Sequence, residues 1–443
     1  MPDKERAEIY ARKLSRMLQY DTVSKPEYNV EDLKRFRAFQ GELERLFPQV
    51  HARLECFRLD GNLLYFWKGK SHDRPLVLMS HQDTVPAEGE WKYGPFSGAI
   101  AEGSVWGRGA CDTKCSVMGF LQAVEELLEE GYEPEQDLYL SSSCTEEVSG
   151  DGCPKIVRFL QEKGVRPFLV CDEGGGIMED PVPGVRGSFA MAGMMEKGMA
   201  NVHFHVSGNG GHASTPLRGM PVARTADFVH WMEHHDPFRK RMEKPVREML
   251  RRLAPYGILP VRYVFSNLWL FGPLVAEVMP RLSPHAAAML QSTIAFTQIA
   301  GSDANNMFPK EVILGANLRF IPHQDMEETL GLVEKIAAKY GLEMEVVSAE
   351  PSTAVSETEG EAWELFSRVA RETFPEAPVC PYILTGGTDA RFYQDICPHV
   401  YRFAPVVLGP EQKAGIHGID EHISTDCLPG CVDFYKNLIR ANR

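Results

Sequence analysis

Apolar positions recur at helical spacing over residues 3–20 and again over 30–46, which predicts two amphipathic helices at the start of the chain. From residue 50 the texture changes to strand-like runs, VHARLECFRL and then NLLYFWKG, followed by PLVLMS, which leads into His81. A run apolar on both alternating faces predicts a buried, parallel strand. Residues 114–130 return to helical period, with Val117, Phe120, Leu121, Val124, Leu127 and Leu128 on one face and Gly131 placed to cap the end. DLYLSSS at 137–143 and PFLVC at 167–171 predict two further buried strands with a helix between them. This alternation specifies an α/β fold, a doubly wound and mostly parallel sheet.

The pattern breaks near residue 187. MANVHFHVSG alternates polar and apolar residues, as a strand with one solvated face does. Helices over 221–235 and 240–253 follow, then a loop rich in proline and aromatics, then the strand EVILGANLRFIP. Helix–strand order resumes at 326 with MEETLGLVEKIAAKYG and LEMEVVSA. At 443 residues the chain exceeds what one core usually serves. The expected division is a first α/β part at 1–189, an inserted α+β segment at 190–322, and a second α/β part at 323–443.

Composition narrows the function. The chain is 44% hydrophobic and 24% charged, which excludes a disordered or fibrous protein. Its 47 Lys and Arg against 61 Asp and Glu leave a net charge of −14, which argues against nucleic-acid binding. The one basic cluster, RKRMEKPVREMLRR, keeps Met242, Val246, Met249 and Leu253 on one side and predicts a solvated helix face. The charged start has no apolar signal region, and no stretch approaches the roughly 18 apolar residues of a membrane span. Ten cysteines without a C-x-x-C spacing predict free thiols in a reducing cytoplasm and no cysteine-based zinc knuckle.

Candidate chemistry collects at strand ends. His81 and Asp83 follow PLVLMS, where ligands bind in open α/β sheets, and on an extended backbone they point the same way. Asp83 could then orient His81 as a metal ligand; a capped turn accounts for the pair equally well. Asp112, in VWGRGACDTK, precedes a helix and could equally be its N-cap. GRGACD and GNGGHA both miss the dinucleotide fingerprint, the first because Asp112 takes its third glycine position, the second because Pro216 and Pro221 interrupt the helix that should follow. Glu146 and Glu147 close a buried strand, and adjacent carboxylates there need a cation or a shared proton. Asp172 and Glu173 end another such strand, and His417 lies in a glycine-flanked loop. Oxygen donors with two imidazoles suit zinc, manganese or cobalt, often as a pair sharing one carboxylate. Such a pair yields hydroxide near neutral pH, and a spare glutamate serves as general base. G-x-S-x-G and P-loop motifs are both missing, so the residues themselves read as a metallohydrolase.

SHQDTVPAEGEWKYGPFSG, GRGACDTK, TEEVSG, CDEGG, SGNGGHAS, NMFPKEVILGANLRFIP, TGGTDARFY and GIHGIDEHIS occur in this order across nearly the whole chain. In these motifs the chain resembles the zinc metallopeptidase family of acetylornithine deacetylase, succinyl-diaminopimelate desuccinylase, aminoacylase and carboxypeptidase S. The last two motifs are closest to aminoacylase and carboxypeptidase S. The resemblance implies two zinc ions per subunit, with cobalt or manganese as alternatives. His81 and Asp112 would bind one ion, and Asp112 would bridge to a second held by Glu147 and His417. Asp172 or Glu173 would complete the first site, Glu146 would be the general base, and Asp83 would orient His81. The insert would be a lid that forms a homodimer, and His212 would cross to the partner's site to stabilise an oxyanion. Asn306 and Arg319 would contact substrate, and Gly387 with Thr388 would offer backbone donors to its carboxylate.

Two departures stand out: Asp-Thr-Lys replaces the family's Asp-Met-Lys or Asp-Asp-Lys, and the segment 236–300 is rich in aromatics and proline (Phe265, Trp269, Phe271, Pro273). The expected activity is hydrolysis of the amide bond in a dipeptide, small peptide or N-acyl amino acid with a free carboxylate. The rivals are a deacylase of acetylornithine or succinyl-diaminopimelate type and a silent binding protein, the latter disfavoured because every ligand and the base are retained.

Overall fold

Leu76 and Leu78 project from one face of their strand and Val77 and Met79 from the other, and all four are buried. That strand, Ser71–Met79, therefore lies inside a sheet covered on both sides, as its uniform apolar sequence predicts. In this computed structural model, which describes residues 3–27 and 30–443, it sits near the middle of a ten-stranded mixed sheet. It pairs in parallel with Gln136–Ser142 on one side and Leu169–Asp172 on the other. Val400–Arg402 extends the parallel run, whereas Asn62–Trp67 and Glu55–Leu59 close one edge antiparallel. The helices Asp3–Leu18, Lys114–Glu129 and Leu428–Ala441 cover one face, where Leu14, Phe120 and Tyr435 join Leu76 and Leu78. Gly152–Glu162 covers the other through Ile156 and Leu160.

A second sheet, all antiparallel, runs in the order Thr293–Ala300, Glu311–Phe320, Gly198–Ser207, Glu343–Glu350. Its inner face, with Val202, Phe204, Leu314 and Leu318, packs on the helices Pro221–His235 and Met326–Lys339.

Three sequence expectations change. VHAR belongs to the short helix Pro48–Arg53, which Pro48 starts, rather than to a strand. The expected proline-rich loop is helical: Leu259–Ser266, Leu268–Leu282 and Pro284–Leu290. With Lys244–Leu253 these helices pack on the large sheet, where Val246, Met249 and Leu250 meet Cys380, Tyr382 and Ile383. Finally, both expected boundaries move: 189/190 falls inside Ser188–Glu196, a strand of the large sheet, and 322/323 falls inside the second sheet's layer. Met326–Lys339 and Glu343–Glu350 belong to that layer because the strand pairs with the free edge of Gly198–Ser207. The basic cluster is as expected, with Met242, Val246, Met249 and Leu253 buried beneath its charges. All ten cysteines are free thiols. Among the described residues no helix is long and apolar enough to cross a membrane.

The chain passes from large to small sheet at Lys197, whose buried ammonium donates to the Gln291 carbonyl at 2.7 Å. Burial, with Arg319 nearby, brings its pKa from 10.5 down to about 7. Between those values the unfolded chain holds a proton that the folded chain has released, so this residue makes stability rise with pH across that window. In thermal unfolding, the stability of Lys197→Met relative to the native chain is expected to be highest at pH 6 and to fall toward pH 10. A difference that is flat across that range would rule out a charged, desolvated Lys197.

Candidate metal centre

Three adjacent parallel strands end beside one another and deliver three chemistries. Ser71–Met79 runs out to His81, Gln136–Ser142 to a 3₁₀ turn carrying Glu146 and Glu147, and Leu169–Asp172 to Glu173. Asp112 arrives from the loop before helix Lys114–Glu129, and His417 from the loop after Pro410–Gly415. His81 Nε2 lies 3.0 Å from one Asp112 oxygen and 3.5 Å from Glu173. The other Asp112 oxygen lies 3.1 Å from His417 Nε2, which is 3.0 Å from Glu147. Asp112 thus stands between two half-sites, each with an imidazole and a further carboxylate. His81, Asp112 and Glu147 form one group spaced to hold a cation, and His81, Glu146 and Glu173 another.

The structure separates the two residues that the sequence left open. Asp172 turns away to accept the amides of Glu173 at 2.8 Å and Ala390 at 2.9 Å, whereas Glu173 faces His81. The glycines after Glu173 are needed there, because a side chain on Gly175 would collide with the carbonyls of Met191 and Arg402. His417 adopts a left-handed φ of 57° to bring its ring inward.

Three glutamates crowded beside Asp112 in one half-buried place have raised proton affinities. Burial, with Asp112 close by, raises Glu173 to about 7, and burial lifts Glu146 and Glu147 as well. His417 rises to about 10 through hydrogen bonds to Asp112 and then Glu147. Burial alone would lower His81, but Glu173, Asp112 and Asp83 outweigh it and raise it. For Asp112 burial pushes upward, and the hydrogen bonds from His417 and His81 win and pull it down. Both imidazoles are thus drawn toward their protonated form by the carboxylates that a cation would also meet. The fit is supported by Glu147 Oε1, a buried oxygen without a hydrogen-bond partner among the described residues, as an oxygen reserved for a cation would be. Nitrogen and carboxylate donors with a shared carboxylate suit zinc, manganese or cobalt.

The profile of Peptidase family M20/M25/M40 matches residues 77–441. The chain belongs to this family. It is 31% identical over 441 residues to the "Probable carboxypeptidase S-like 2" of Dictyostelium discoideum, covering 97% of this chain and 84% of the relative. It is 34% identical to the "N-fatty-acyl-amino acid synthase/hydrolase PM20D1" of Homo sapiens, covering 83% and 74%. A solved M20 metallo-carboxypeptidase from Sulfolobus solfataricus shares the fold at a TM-score of 0.71 and 17% identity, over 98% of this chain and 99% of that one. Human carnosine dipeptidase 1 does so at 0.68 and 14%, over 99% and 97%.

In this M20 chain Asp83 has more to do than the sequence suggested. His81 Nδ1 contacts the Asp83 carbonyl at 3.0 Å and its carboxylate at 3.4 Å, and that carboxylate also accepts the amides of Glu146 and Glu147. Of the expected donors at Gly387 and Thr388, Thr388 is already engaged. Thr388 is buried and gives both its amide and its hydroxyl to Glu196, at 2.8 and 2.9 Å, so it has neither left for a substrate. Glu196 is held in turn by the fully buried Arg402, a network no local motif announced. Arg319 is mostly buried, with its Nε on Asn317. His212, in the short strand Gly211–His212, and Asn306, in the turn before its partner strand Met307–Phe308, sit together on the surface, joined through the Ala213 amide and the Asn306 carbonyl, and among the described residues neither bonds to the cluster.

The sequence reading also missed Glu421. It is fully buried and accepts the amides of Gly109, Cys111 and Asp112 at 2.8–3.0 Å and the guanidinium of Arg108 at 2.9 Å. Arg108 in turn donates to the Gly418 carbonyl at 2.6 Å. This clamp ties the Asp112 loop to the His417 loop across 313 residues of sequence. The usable signal was Arg108 itself, a guanidinium in an otherwise small-residue turn that requires a buried acid. Glu421→Gln is expected to keep the fold and weaken metal affinity roughly 10–100-fold, as loss of ligand support typically does. Zinc titration against a chelator reads this directly, and undiminished affinity would show that the clamp does not position the ligands.

Proposed function

We propose that this protein is a metal-dependent exopeptidase or aminoacylase that releases an amino acid with a free carboxylate from a dipeptide, small peptide or N-acyl amino acid. The observation that carries the reading is the paired arrangement around Asp112, with an imidazole on each of its oxygens and a buried Glu147 oxygen left without a partner. His81, Asp112 and Glu173 would hold one ion, and Asp112, Glu147 and His417 the other, zinc being the first choice. When bound, the ions polarise the amide carbonyl and make water acidic enough to attack near neutral pH.

The chain's own groups do the rest. Glu146 is half-buried beside His81 and Glu173, and among the described residues its carboxylate makes no hydrogen bond or ion pair, so it is the group that would take a proton from the attacking water and return it to the leaving amine. Asp83 fixes Glu146 by holding its amide. His212 accepts the Ser214 amide at Nδ1, which places its proton on Nε2. That outward donor suits an oxyanion in the site of a partner subunit, so the active form would be a homodimer joined through the inserted layer. Arg319 would grip the substrate's carboxylate with help from the Gly387 amide, and Asn306 would line the same entrance. The relatives named above for N-fatty-acyl-amino acids and carboxypeptidase S support both substrate types. The free thiols fit a reducing, cytoplasmic location.

Glu146→Gln is expected to bind zinc as the native chain does while losing ~10²–10⁴-fold in turnover, the usual contribution of a positioned general base. Amino-acid release from a panel of dipeptides and N-acyl amino acids measures it, with release abolished by EDTA and restored by zinc, manganese or cobalt. A Glu146→Gln enzyme of near-native rate would overturn the assignment.

A further inference from the structure

The outward face of the four-stranded sheet carries a second gathering of imidazole and carboxylate, unconnected to the catalytic cluster. His203 and His205 lie two apart on the strand Gly198–Ser207 and so project from the same face. Glu345 comes from the neighbouring strand, directly opposite His203, and Glu311 from the strand on the other side. His205 is gripped at both nitrogens, by Glu311 at 2.9 Å and by Glu345 at 3.0 Å. The His203 ring stands 6.4 Å from that of His205, and among the described residues neither of its nitrogens has a hydrogen-bond partner. The residue opposite it on that strand is Gly315, where a side chain would sit against Gln298 at 3.1 Å and the His203 ring at 3.6 Å. One donor atom from each of His203, His205 and Glu345 lies within 4.8 Å of the others.

We infer that His203, His205 and Glu345, with Glu311 in reach, form a third metal site, selective for divalent ions of the zinc, nickel, cobalt and copper class. Two imidazoles favour these ions over magnesium or calcium, which prefer oxygen alone. Ligand atoms about one ion at 2.0–2.2 Å must close to roughly 3.3 Å from one another. The half-exposed imidazoles and the exposed glutamates can rotate that far without disturbing the core. Bound there, an ion would cross-link three adjacent strands on the face opposite the helices, and so stiffen the inserted sheet rather than take part in hydrolysis.

The test compares the native protein with the double variant His203→Gln/His205→Gln, both stripped of metal and then titrated with zinc by calorimetry. The native chain is expected to take up one more ion per chain than the variant, whatever number the catalytic cluster itself binds. Hydrolysis on the substrate panel should be equal in the two once the catalytic cluster is loaded. Zinc should raise the unfolding temperature of the native chain more than that of the variant. Glu345→Gln, which leaves both imidazoles in place, should weaken the extra uptake without abolishing it. Equal uptake by native and double variant would overturn the proposal, because it would reduce the cluster to surface ion pairs. Loss of hydrolysis in Glu146→Gln, or its persistence, bears only on the other site.

Discussion

Everything at the catalytic end of this molecule depends on one electrostatic constraint: Asp112, Glu146, Glu147 and Glu173, all half-buried, converge on two imidazoles. Carboxylates so crowded cannot all remain ionised without positive charge among them. Two imidazoles supply it in the form described here, and that arrangement has the same layout as a two-cation site with a shared carboxylate. The folded chain therefore holds a prearranged field of negative charge, and neutralising it is part of what makes the fold stable as well as what makes it chemically useful.

Holding such a field in place falls to residues that never enter it. Asp83 ties the His81 strand end to the Glu146–Glu147 turn through two backbone amides. Glu421 and Arg108 bind together the loops of Asp112 and His417. Asp172 spends its carboxylate on the Glu173 and Ala390 amides, which fixes the direction in which Glu173 points. Each of these acids is buried and each accepts amides, so the backbone converts otherwise costly buried charge into loop geometry.

The sequence revealed the parts that follow from local pattern. Uniformly apolar runs ending in His81, Glu146–Glu147 and Asp172–Glu173 marked buried parallel strands and their chemical ends, because strand ends are where such sheets bind ligands. It could not choose between Asp172 and Glu173, since neighbours on a strand face opposite ways and the register is set by tertiary pairing. The helices between 259 and 290 read as loop because Pro260, Pro273, Pro280 and Pro284 punctuate them. In the structure two of these prolines begin helices and two are tolerated inside Leu268–Leu282, which buries Val275, Ala276 and Met279. Strand Glu343–Glu350 carries no local signal of which sheet it joins. Glu421 was hard to find for a similar reason, as the guanidinium that signals it, Arg108, lies in the first third of the chain.

The helical layer between 244 and 290 has a mechanical consequence. Without it, the small sheet would be joined to the large one by two chain segments, at Lys197 and after Glu350. With it, the chain leaves the small sheet's layer after His235, packs four helices onto the large sheet, and returns at Thr293. Four crossings restrict the relative movement of the two layers more than two would. The two halves of this protein are thus braced against one another, and any opening must be absorbed by bending within those four connections.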